Sequence, residues 1–568
     1  MFKRIYIFIL TCFIYLIIFQ INIYAEQARN LLKLDKEHPP YLRLPIDGQI
    51  RTVDPAYVFE EATIEITEQL FLGLTGFAWD GKEYKIVPEM ATNWTVSNNG
   101  KTYRFNIRKD IYWVNGETAA KIRPVTAHDI QWAIQRNIMP KIDAPYASTL
   151  YILKNGEKIH NGKIKDASKI GAHAINDYCI EFNLNSAAGY FPDLLTLWIF
   201  RPQPPEAIKK YGEDWTKPEN IWCNGPFFLD KWQKRRKLII KKNPHYYDIK
   251  NVVLPEVHYI IVPQAFAGLD MFYTGKIDLM GDGYLKIPKS QLDDILENPS
   301  FNNVFRTGSR FASYNYFFNV KRPPLDNPLV RKAISYCINR AMIVDVITKG
   351  NEMPAVTFTP PAFLNCNENC SEYGIEFNPD LAQKYIAEAG YPDGIGFPTI
   401  TLMHNISELH ASIAEAVQAF VEHYLNIKVE IQEKEWSEYF RIIRHEDKST
   451  APHISQMGWN SDYLDANNWL CDAAQFFQSV TGWENDDFDE LVEKAGKIID
   501  PVKRKEVYRK AEKILVHDET SIMPIYFESA KYLINPFLNN WYPMPIGGQL
   551  VKDWSIKEVI EEENDFKN

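Results

Sequence analysis

Cysteine is scarce in this chain, which has seven in 568 residues. Six of them follow the N-terminal segment and are spread from Cys179 to Cys471, so they do not form the framework of a disulfide-built fold. Only Cys366 and Cys370 are near enough in sequence to close a small loop, and whether they form a disulfide is left open. Zinc is disfavoured there, because a structural site needs a full set of ligands and no second cysteine or histidine pair lies nearby.

Positive charge is in deficit. The chain has 63 lysines and arginines against 73 aspartates and glutamates, which gives a formal net charge of −10. Its one basic run, Lys234–Lys237, precedes an apolar stretch and is typical of a strand with solvated flanks. We therefore expect no nucleic-acid partner.

Long apolar runs are absent after residue 25. Before it, Lys3 and Arg4 precede an apolar run, and Ala25 offers a small residue for cleavage. This pattern predicts a secretory signal peptide over residues 1–25 with cleavage after Ala25; a membrane anchor is the alternative. Cys12 has no small residue just before it, so no lipid anchor is expected.

The usual catalytic motifs are also missing. The sequence has no phosphate-binding loop, no zinc-protease His-Glu-x-x-His, no nucleophile elbow and no dinucleotide fingerprint. Two carboxylates far apart in sequence, such as Glu435 and Asp462, leave a glycosidase open as an alternative. We predict no catalytic residues, no metal ligands and no cofactor.

Strand and helix signals are mixed along the chain. Alternating apolar residues predict a strand over 102–108, and Thr126 begins a capping-box pattern before a helix. Asn378 and Pro379 mark another helix start. Together these signals favour α/β or α+β domains. A chain this long without linkers is expected to cross between its lobes more than once and so to form a hinge.

The segment Gln456–Asp465 is the first candidate for a site. It places Asp462 among Trp459, Tyr463 and Trp469, close to Gly458. A carboxylate beside aromatic walls is suited to binding an ammonium group, since a low dielectric strengthens their attraction. The alternative is that Asp462 caps a turn and the aromatic residues belong to the core.

Ordered motifs then point to a family. Through them the chain resembles the extracellular solute-binding proteins of family 5, and most of all the oligopeptide-binding members, over nearly the whole span from Leu44 to Pro536. The motifs are Pro88–Trp94, Thr102–Arg108, Pro124–Asp129, Asn224–Pro226, Gly275–Asp278, Arg322–Pro324, Val330–Ala333 and Ala387–Pro392.

The resemblance implies a mixed α/β fold, the three-lobed type II periplasmic binding protein, or Venus flytrap, which encloses its ligand between lobes. The implied division is a signal peptide over 1–25, lobe I over 26–75, 196–300 and 531–568, lobe II over 76–195, and lobe III over 301–530.

The resemblance also implies a function. The chain would be the periplasmic receptor of an ABC importer, a monomer that captures short peptides and delivers them to an inner-membrane permease. A secreted protein without an anchor is better retained in a periplasm than outside a single-membrane cell. The same fold could instead bind a cell-wall peptide, dipeptide, nickel chelate, opine or oligosaccharide. A secreted hydrolase and a peptide-binding chaperone stay open as alternatives.

Individual positions match as well. Asp462 matches the aspartate that pairs with the α-ammonium group of the ligand. Gly458 and Asn460 match residues whose backbone binds the peptide as an added strand. The other matches line pockets or meet the peptide carboxylate: Tyr146 and Trp436 as pocket aromatics, Trp459 beside the backbone segment, and Arg322 and His410 as carboxylate partners.

One position departs from the family pattern. Oligopeptide-binding members have an arginine two residues before the glycine, and this chain has Gln456. A neutral amide cannot form the charge-assisted pair with a carboxylate that a guanidinium forms. Gln456 is therefore expected to alter how the carboxylate end of a peptide, and hence its length, is recognised.

Overall fold

The computed structural model describes residues 38–80, 84–366, 370, 372–445 and 447–557. The predicted signal peptide and its cleavage site lie outside these residues. Within the described ranges, no helix combines the length and the apolar character needed to cross a membrane.

The strands are short except for two that run through the middle of the molecule. In chain order they are β1 Leu42–Ile46, β2 Thr75–Trp79, β3 Tyr84–Pro88, β4 Ala91–Ser97, β5 Thr102–Ile107, β6 Tyr112–Asn115, β7 Lys121–Pro124, β8 Ala172–Asn176, β9 Cys179–Asn183, β10 Trp222–Cys223, β11 Phe227–Gln233, β12 Lys237–Lys242, β13 Glu256–Ile261, β14 Leu279–Gly281, β15 Phe305–Phe318, β16 Met353–Pro354, β17 Ile400–Asn405, β18 Val429–Lys434, β19 Ile454–Asn460, β20 Ile522–Ile534, β21 Leu538–Asn539 and β22 Ser555–Ile556.

The helices cover the sheets. They are α1 Glu61–Leu70, α2 Ala127–Asn137, α3 Gly156–His160, α4 Phe191–Leu194, α5 Pro205–Tyr211, α6 Ala265–Tyr273, α7 Lys289–Glu297, α8 Pro328–Tyr336, α9 Arg340–Ile343, α10 Pro361–Leu364, α11 Pro379–Glu388, α12 Glu408–Leu425, α13 Trp436–Ile443, α14 Ala474–Thr481, α15 Asp486–Lys497 and α16 Pro501–Glu512.

Local sequence signals predict several of these elements correctly. In β5, Tyr103, Phe105 and Ile107 are buried while their neighbours are not, as the alternation predicts. At α2, the Thr126 side chain accepts from the backbone three residues on, and the Asp129 side chain accepts from the Thr126 N–H. This reciprocal capping box begins the helix where the sequence places it.

Three sheets form the frame. One has the order β1-β13-β12-β11, a second β4-β5-β9-β8, and the largest β14-β20-β15-β19-β17-β18, with β16 on β20. They lie mainly in the segments predicted as lobes I, II and III respectively. The division itself stays a prediction, and its boundaries at 75/76 and 530/531 fall inside β2 and β20.

The antiparallel pair β15 and β20 connects two parts of the core. At one end Phe305 and Leu533 pack with α6, and at the other Phe317 and Ile522 pack with α14 and α16. The register shifts between Ser309 and Ser313, so β15 has extra residues opposite β20. Such a bulge twists and weakens the ladder locally, which makes this point our candidate for the predicted hinge.

A buried ion pair within the segment predicted as lobe III lies beside a contact of that segment with the segment predicted as lobe II. Arg504 on α16 donates to Asp465 from Nε at 2.9 Å and from Nη2 at 2.7 Å. Its Nη1 also donates to the Ile498 carbonyl at 2.9 Å, and the Gly189 N–H donates to the Gly496 carbonyl at 2.9 Å. Since both charged side chains are less than a tenth exposed, this seam depends on the pair staying intact.

The structure settles the cysteine pair that the sequence leaves open. Cys366 and Cys370 form a disulfide, with their Cα atoms 5.8 Å apart. It closes the short loop after α10 and joins no distant elements, so the fold does not depend on a disulfide framework.

Candidate ligand-binding site

The site is built on a strand edge that is left open. Strand β19 pairs with β15 along its whole length. On its other side it pairs with β17 only at Ile454 and Ser455. From Gln456 to Asn460, that second edge therefore has no strand partner among the described residues. An unpaired edge presents backbone donors and acceptors in a row, which is the template for adding one more strand.

The hydrogen-bond pattern identifies which residues face that edge. The Ser461 N–H donates to the Phe311 carbonyl at 2.8 Å, so Ser461 points toward β15. Because orientation alternates along an antiparallel strand, the N–H and C=O groups of Gly458 and Asn460 point away from β15, to the open edge. These are the two residues whose backbone the sequence resemblance assigns to the ligand.

Gly458 also has a reason of its own to be glycine. A Cβ atom added at this position would lie 2.8 Å from the Ser313 carbonyl oxygen on the neighbouring strand. The residue is exposed on the open side of the sheet. A larger residue at position 458 would therefore displace β19 from β15, and its side chain would cover part of the open edge.

Asp462 lies just beyond the end of this edge and is half-buried. The Tyr146 hydroxyl donates to its Oδ1 at 3.2 Å, and its own backbone N–H donates to Asn468 Oδ1 at 3.2 Å. Burial raises the pKa of Asp462, and hydrogen bonds from Tyr146 and Asn468 act in the opposite direction. A ligand ammonium group placed here would favour the charged carboxylate and would be held by it.

The cavity in front of Asp462 has a volume of about 210 Å³ and is formed by segments far apart in sequence. Tyr146 and Trp198 stack edge to face on one side, with ring centroids 4.8 Å apart. The remaining lining residues come from α1 and the residues just before it, the loop after β14, the bulge of β15, the end of β19, β20 and the C-terminal segment: Phe59, Glu61, Ile64, Glu65, Asp282, Gly283, Arg310, Phe311, Asn460, Ser461, Ala530, Tyr532, Met544, Pro545, Ile546, Gly547 and Gln549.

Aromatic rings continue from this cavity along the sheet. Trp459 lies 6.4 Å from Phe476, Phe476 stacks on Phe440 at 6.2 Å, and Phe440 stacks on Trp436 at 5.6 Å. Trp436 is half exposed at the end of the series, and Trp459 is fixed by donating from Nε1 to Asn468 Oδ1 at 3.0 Å. Flat apolar surfaces next to an open strand edge accept side chains of many shapes.

Two aromatic residues of the Asp462 segment do not line the cavity. Trp469 is fully buried in the core beneath α14 and α16. Tyr463 stacks on Tyr190 and lies within 2.8 Å of Asp472 Oδ2. The prediction that these two rings surround Asp462 is therefore not met. The aromatic rings in the cavity are instead those of Tyr146 and Trp198, which come from a different part of the chain.

Gln456 is buried, with 4% of its surface exposed, and its carbonyl accepts from the Tyr439 hydroxyl. It lies opposite Tyr316 on β15 and does not line the Asp462 cavity. The structure thus has a neutral amide at the start of the open edge. Its effect on carboxylate recognition stays a prediction.

The two predicted carboxylate partners lie apart from Asp462. His410 is on α12, with Nδ1 3.0 Å from the hydroxyl of Tyr314, the residue opposite Gly458. Burial and the charges of His404 and Lys289 lower the pKa of His410 to about 4, so it is neutral at pH 7. Arg322 lines a separate cavity under α13. Their assigned roles stay predictions.

Several residues at the site escaped the sequence analysis. Arg310 lies in the β15 bulge, donates to Glu61 at 2.6 Å and to Asp282 at 3.2 Å, and is 3.6 Å from Glu528. Asn468 positions both Trp459 and Asp462. Asn468 could have been predicted, because it is an asparagine close after Asp462 in sequence. Arg310 and its acidic partners are spread from residue 61 to residue 528, so no local sequence pattern reveals them.

Glu65, which lines this cavity, is expected to make the stability of the protein depend on pH. It is 2% exposed and accepts from the hydroxyls of Tyr284 at 3.0 Å and Tyr259 at 3.2 Å. Burial raises its pKa to about 8, against the opposing effect of the hydrogen bond from the Gln549 N–H. Since an unfolded glutamate titrates near 4.3, the folded state holds a proton that the unfolded state releases between these values.

We therefore expect wild-type stability to fall, relative to the Glu65→Gln variant, as pH rises from about 4.3 to 8. Below this window the stabilising effect of the raised pKa is complete, and above it the effect is lost. Thermal unfolding at about pH 5, 7 and 9 measures the difference. Glu117→Gln is the control, because Glu117 is exposed and lies away from this cavity. A Tm difference between wild type and Glu65→Gln that is the same at all three values would contradict this account.

Comparisons with known proteins agree with this architecture. The model of the family described as bacterial extracellular solute-binding proteins, family 5 middle, matches residues 85–476. The oligopeptide-binding protein OppA of Bacillus subtilis is 30% identical over 509 residues, which are 87% of this chain and 89% of OppA. The probable deoxycholate-binding periplasmic protein YgiS of Escherichia coli is 29% identical over 496 residues, 86% and 88% of the two chains.

Solved structures show the same fold. The murein tripeptide-binding protein MppA in its unliganded open form has a TM-score of 0.79 and 26% identity, covering 91% of this chain and 97% of MppA. Another structure of MppA, from Escherichia coli, has a TM-score of 0.65 with 26% identity, covering 91% and 98%. The TM-score is thus higher against the unliganded open form than against the other structure of MppA.

These findings confirm the predicted mixed α/β solute-binding fold and the predicted family. The matched segment covers more than half of the chain, and the relatives reported above are named as binding proteins. This protein belongs to family 5 of the bacterial extracellular solute-binding proteins.

Proposed function

We propose that this protein is the periplasmic receptor of an ABC importer and captures short oligopeptides by their backbone and amino terminus. The observation that carries the proposal is the open edge of β19, which ends at the half-buried carboxylate of Asp462. A peptide added to the edge would present its α-ammonium group to Asp462 while Gly458 and Asn460 bind its main chain.

The same geometry explains tolerance of sequence. Main-chain N–H and C=O groups and an amino terminus are common to all peptides, so the strongest contacts do not depend on side chains. The aromatic series from Trp459 to Trp436 and the ring of Tyr146 would supply apolar surface for whatever side chains the peptide carries. We therefore expect broad rather than unique specificity.

The carboxylate end is expected to contribute less than the amino end. Gln456 is neutral, and His410 is also neutral at pH 7 because its pKa is lowered, so it can donate a hydrogen bond to a carboxylate but cannot pair with it as a cation. Arg322 is the remaining predicted partner and would require a peptide that extends to its cavity. Peptides of more than one length should therefore bind.

Delivery would follow closure of the lobes without a chemical step. Similarity to an unliganded open form supports a starting state that closes on a ligand, with the β15 bulge as hinge. The closed monomer would then be recognised by an inner-membrane permease. A signal peptide cleaved after Ala25 would place the receptor in the periplasm.

Substitution of Asn460 tests the edge itself. Proline at this position removes the N–H that faces the open edge, and its φ suits an extended edge residue. Asn460→Pro should weaken peptide binding by about tenfold relative to Asn460→Ala, because one ligand hydrogen bond is lost. Titration calorimetry with an unmodified tripeptide measures both affinities.

The alanine variant is the matched control, because it also loses the amide side chain but keeps the backbone N–H. Thermal unfolding should give similar Tm values for the two variants. Equal peptide affinities for Asn460→Pro and Asn460→Ala would mean that the ligand does not pair with this edge.

A further inference from the structure

Positive charge is concentrated at one hairpin of the sheet β1-β13-β12-β11. The turn that joins β11 to β12 carries Lys234, Arg235 and Arg236, and Lys231 and Lys237 lie on the strands beside it. Lys237 is half-buried and the other four are exposed. We call these five residues the basic hairpin, and none of them lines the cavity in front of Asp462. We propose that the basic hairpin binds the anionic surface of a phospholipid bilayer.

The charge of the basic hairpin is not neutralised within the described part of the chain. None of its five side chains forms an ion pair or a hydrogen bond there. Asp230, the nearest carboxylate in sequence, pairs with Lys241 at 3.1 Å. Among the strands that end beside the turn, only β1 is followed directly by a carboxylate, Asp47, and β13 lies between β1 and β12. The cations are therefore available to an external anionic surface.

The turn has an arginine where its backbone favours glycine. The Arg236 N–H donates to the Gln233 carbonyl at 3.0 Å, which closes the turn, and Arg235 between them has a φ of 64°. This is the left-handed region, where a side chain with a Cβ atom is disfavoured and glycine or asparagine is the usual residue. The stability of the turn therefore does not explain Arg235, whereas a role for its charge at the surface does.

An exposed aromatic ring accompanies the cations. The Ile261 N–H at the end of β13 donates to the Arg236 carbonyl at 2.9 Å, so β13 ends beside the turn. Helix α6 begins soon afterwards at Ala265, and Phe266 in its first turn is 58% exposed. Basic side chains together with an exposed aromatic ring are typical of surfaces that lie at the headgroup level of a bilayer.

The acidic composition of the chain does not prevent this contact. At physiological ionic strength charges are screened over about 8 Å, so a bilayer interacts mainly with the hairpin that touches it. Clusters of about four to eight lysines and arginines bind anionic lipids, and each cation near the surface adds to the affinity. A nucleic acid would instead have to follow an extended surface of a protein whose formal net charge is −10.

This inference goes beyond the proposed function. Peptide capture uses the open edge of β19, whereas the basic hairpin belongs to a different sheet. Lipid binding should therefore occur with or without peptide. Only its benefit, a shorter search for an inner-membrane permease, rests on the proposed function.

Vesicles of phosphatidylcholine that contain about one third phosphatidylglycerol are the direct probe. We expect the purified protein to co-sediment with them at low ionic strength, and to lose this binding at about 0.5 M salt or when the vesicles are pure phosphatidylcholine. The triple variant Lys234→Gln, Arg235→Gly, Arg236→Gln should bind at least about tenfold more weakly. Glycine suits the backbone of position 235, so the turn should still form.

The matched control is the triple variant Lys158→Gln, Lys163→Gln, Lys165→Gln. These lysines are exposed, lie in the segment predicted as lobe II, and remove the same amount of charge. Their vesicle affinity should stay within about twofold of wild type. Both triple variants should bind an unmodified tripeptide as wild type does, which shows that they are folded.

Four results would overturn the proposal. One is no binding of wild type to the anionic vesicles. The second is equal binding to vesicles with and without phosphatidylglycerol, and the third is equal weakening by the two triple variants, which would indicate only a general effect of net charge. The fourth is tighter hairpin-dependent binding to a single-stranded DNA oligonucleotide than to vesicles. Vesicle binding by a protein that fails to bind peptides would contradict the proposed function and support the basic hairpin.

Discussion

Asp462→Ala should weaken binding of an unmodified tripeptide by about 100-fold or more. Removing one partner of a partly buried charge pair typically costs roughly 3 to 5 kcal/mol, because the other charge is left without compensation. The ligand ammonium would lose the carboxylate that Tyr146 and Asn468 orient. Titration calorimetry on protein stripped of bound ligand measures the change.

The N-acetylated tripeptide is the matched ligand. It lacks the ammonium group, so wild type should bind it much more weakly, and Asp462→Ala should bind the free and acetylated forms with similar affinity. Asp462→Asn keeps the side-chain shape and should lose nearly as much affinity as the alanine variant. If Asp462→Ala weakened both ligands by the same factor, Asp462 would not be the partner of the amino terminus.

Arg504→Met should lower the free energy of unfolding by about 3 kcal/mol or more. The substitution leaves Asp465 buried without its cation, next to Asp193, whose pKa is raised by burial and by the charge of Asp465. It also removes the donors to the Ile498 and Ile499 carbonyls. Chemical denaturation measures the loss.

Arg509→Met is the control on the same helix, since among the described residues the Arg509 side chain makes only a long hydrogen bond, 3.4 Å, to the Asn365 carbonyl. It should change stability by about 0.5 kcal/mol or less. The double variant Asp465→Asn, Arg504→Met should lose less than the sum of the single variants, because neither charge remains. Strict additivity would show that the two side chains do not stabilise the seam as a pair.

Local elements of the fold could be predicted from sequence because their causes are local. The strand at Tyr103 follows from alternation, and the helix after Thr126 follows from a capping box. The ion pair between Asp465 and Arg504 could not be predicted in this way, since it depends on how α16 packs against the segment that follows β19. Nor could the bulge near Arg310, which depends on the pairing register of β15 and β20.

For the candidate site, too, some features could be predicted from the sequence and others depend on tertiary packing. The family resemblance identifies Asp462, Gly458 and Asn460 by position, but whether their backbone groups are unpaired depends on where β17 leaves β19. Trp469 follows Asp462 closely in sequence and is nevertheless buried in the core, whereas distant Tyr146 lies against the carboxylate. Proximity in sequence was therefore a poor guide to which aromatic residues surround the cavity.

Native mass spectrometry of the protein as purified tests the central claim most directly. Binding proteins that enclose their ligands retain them, and a receptor that holds peptides by the backbone and amino terminus should carry a mixture. We expect a series of bound masses that are released on denaturation as short peptides of varied sequence with free amino termini. A single bound species of one defined non-peptide mass would contradict it.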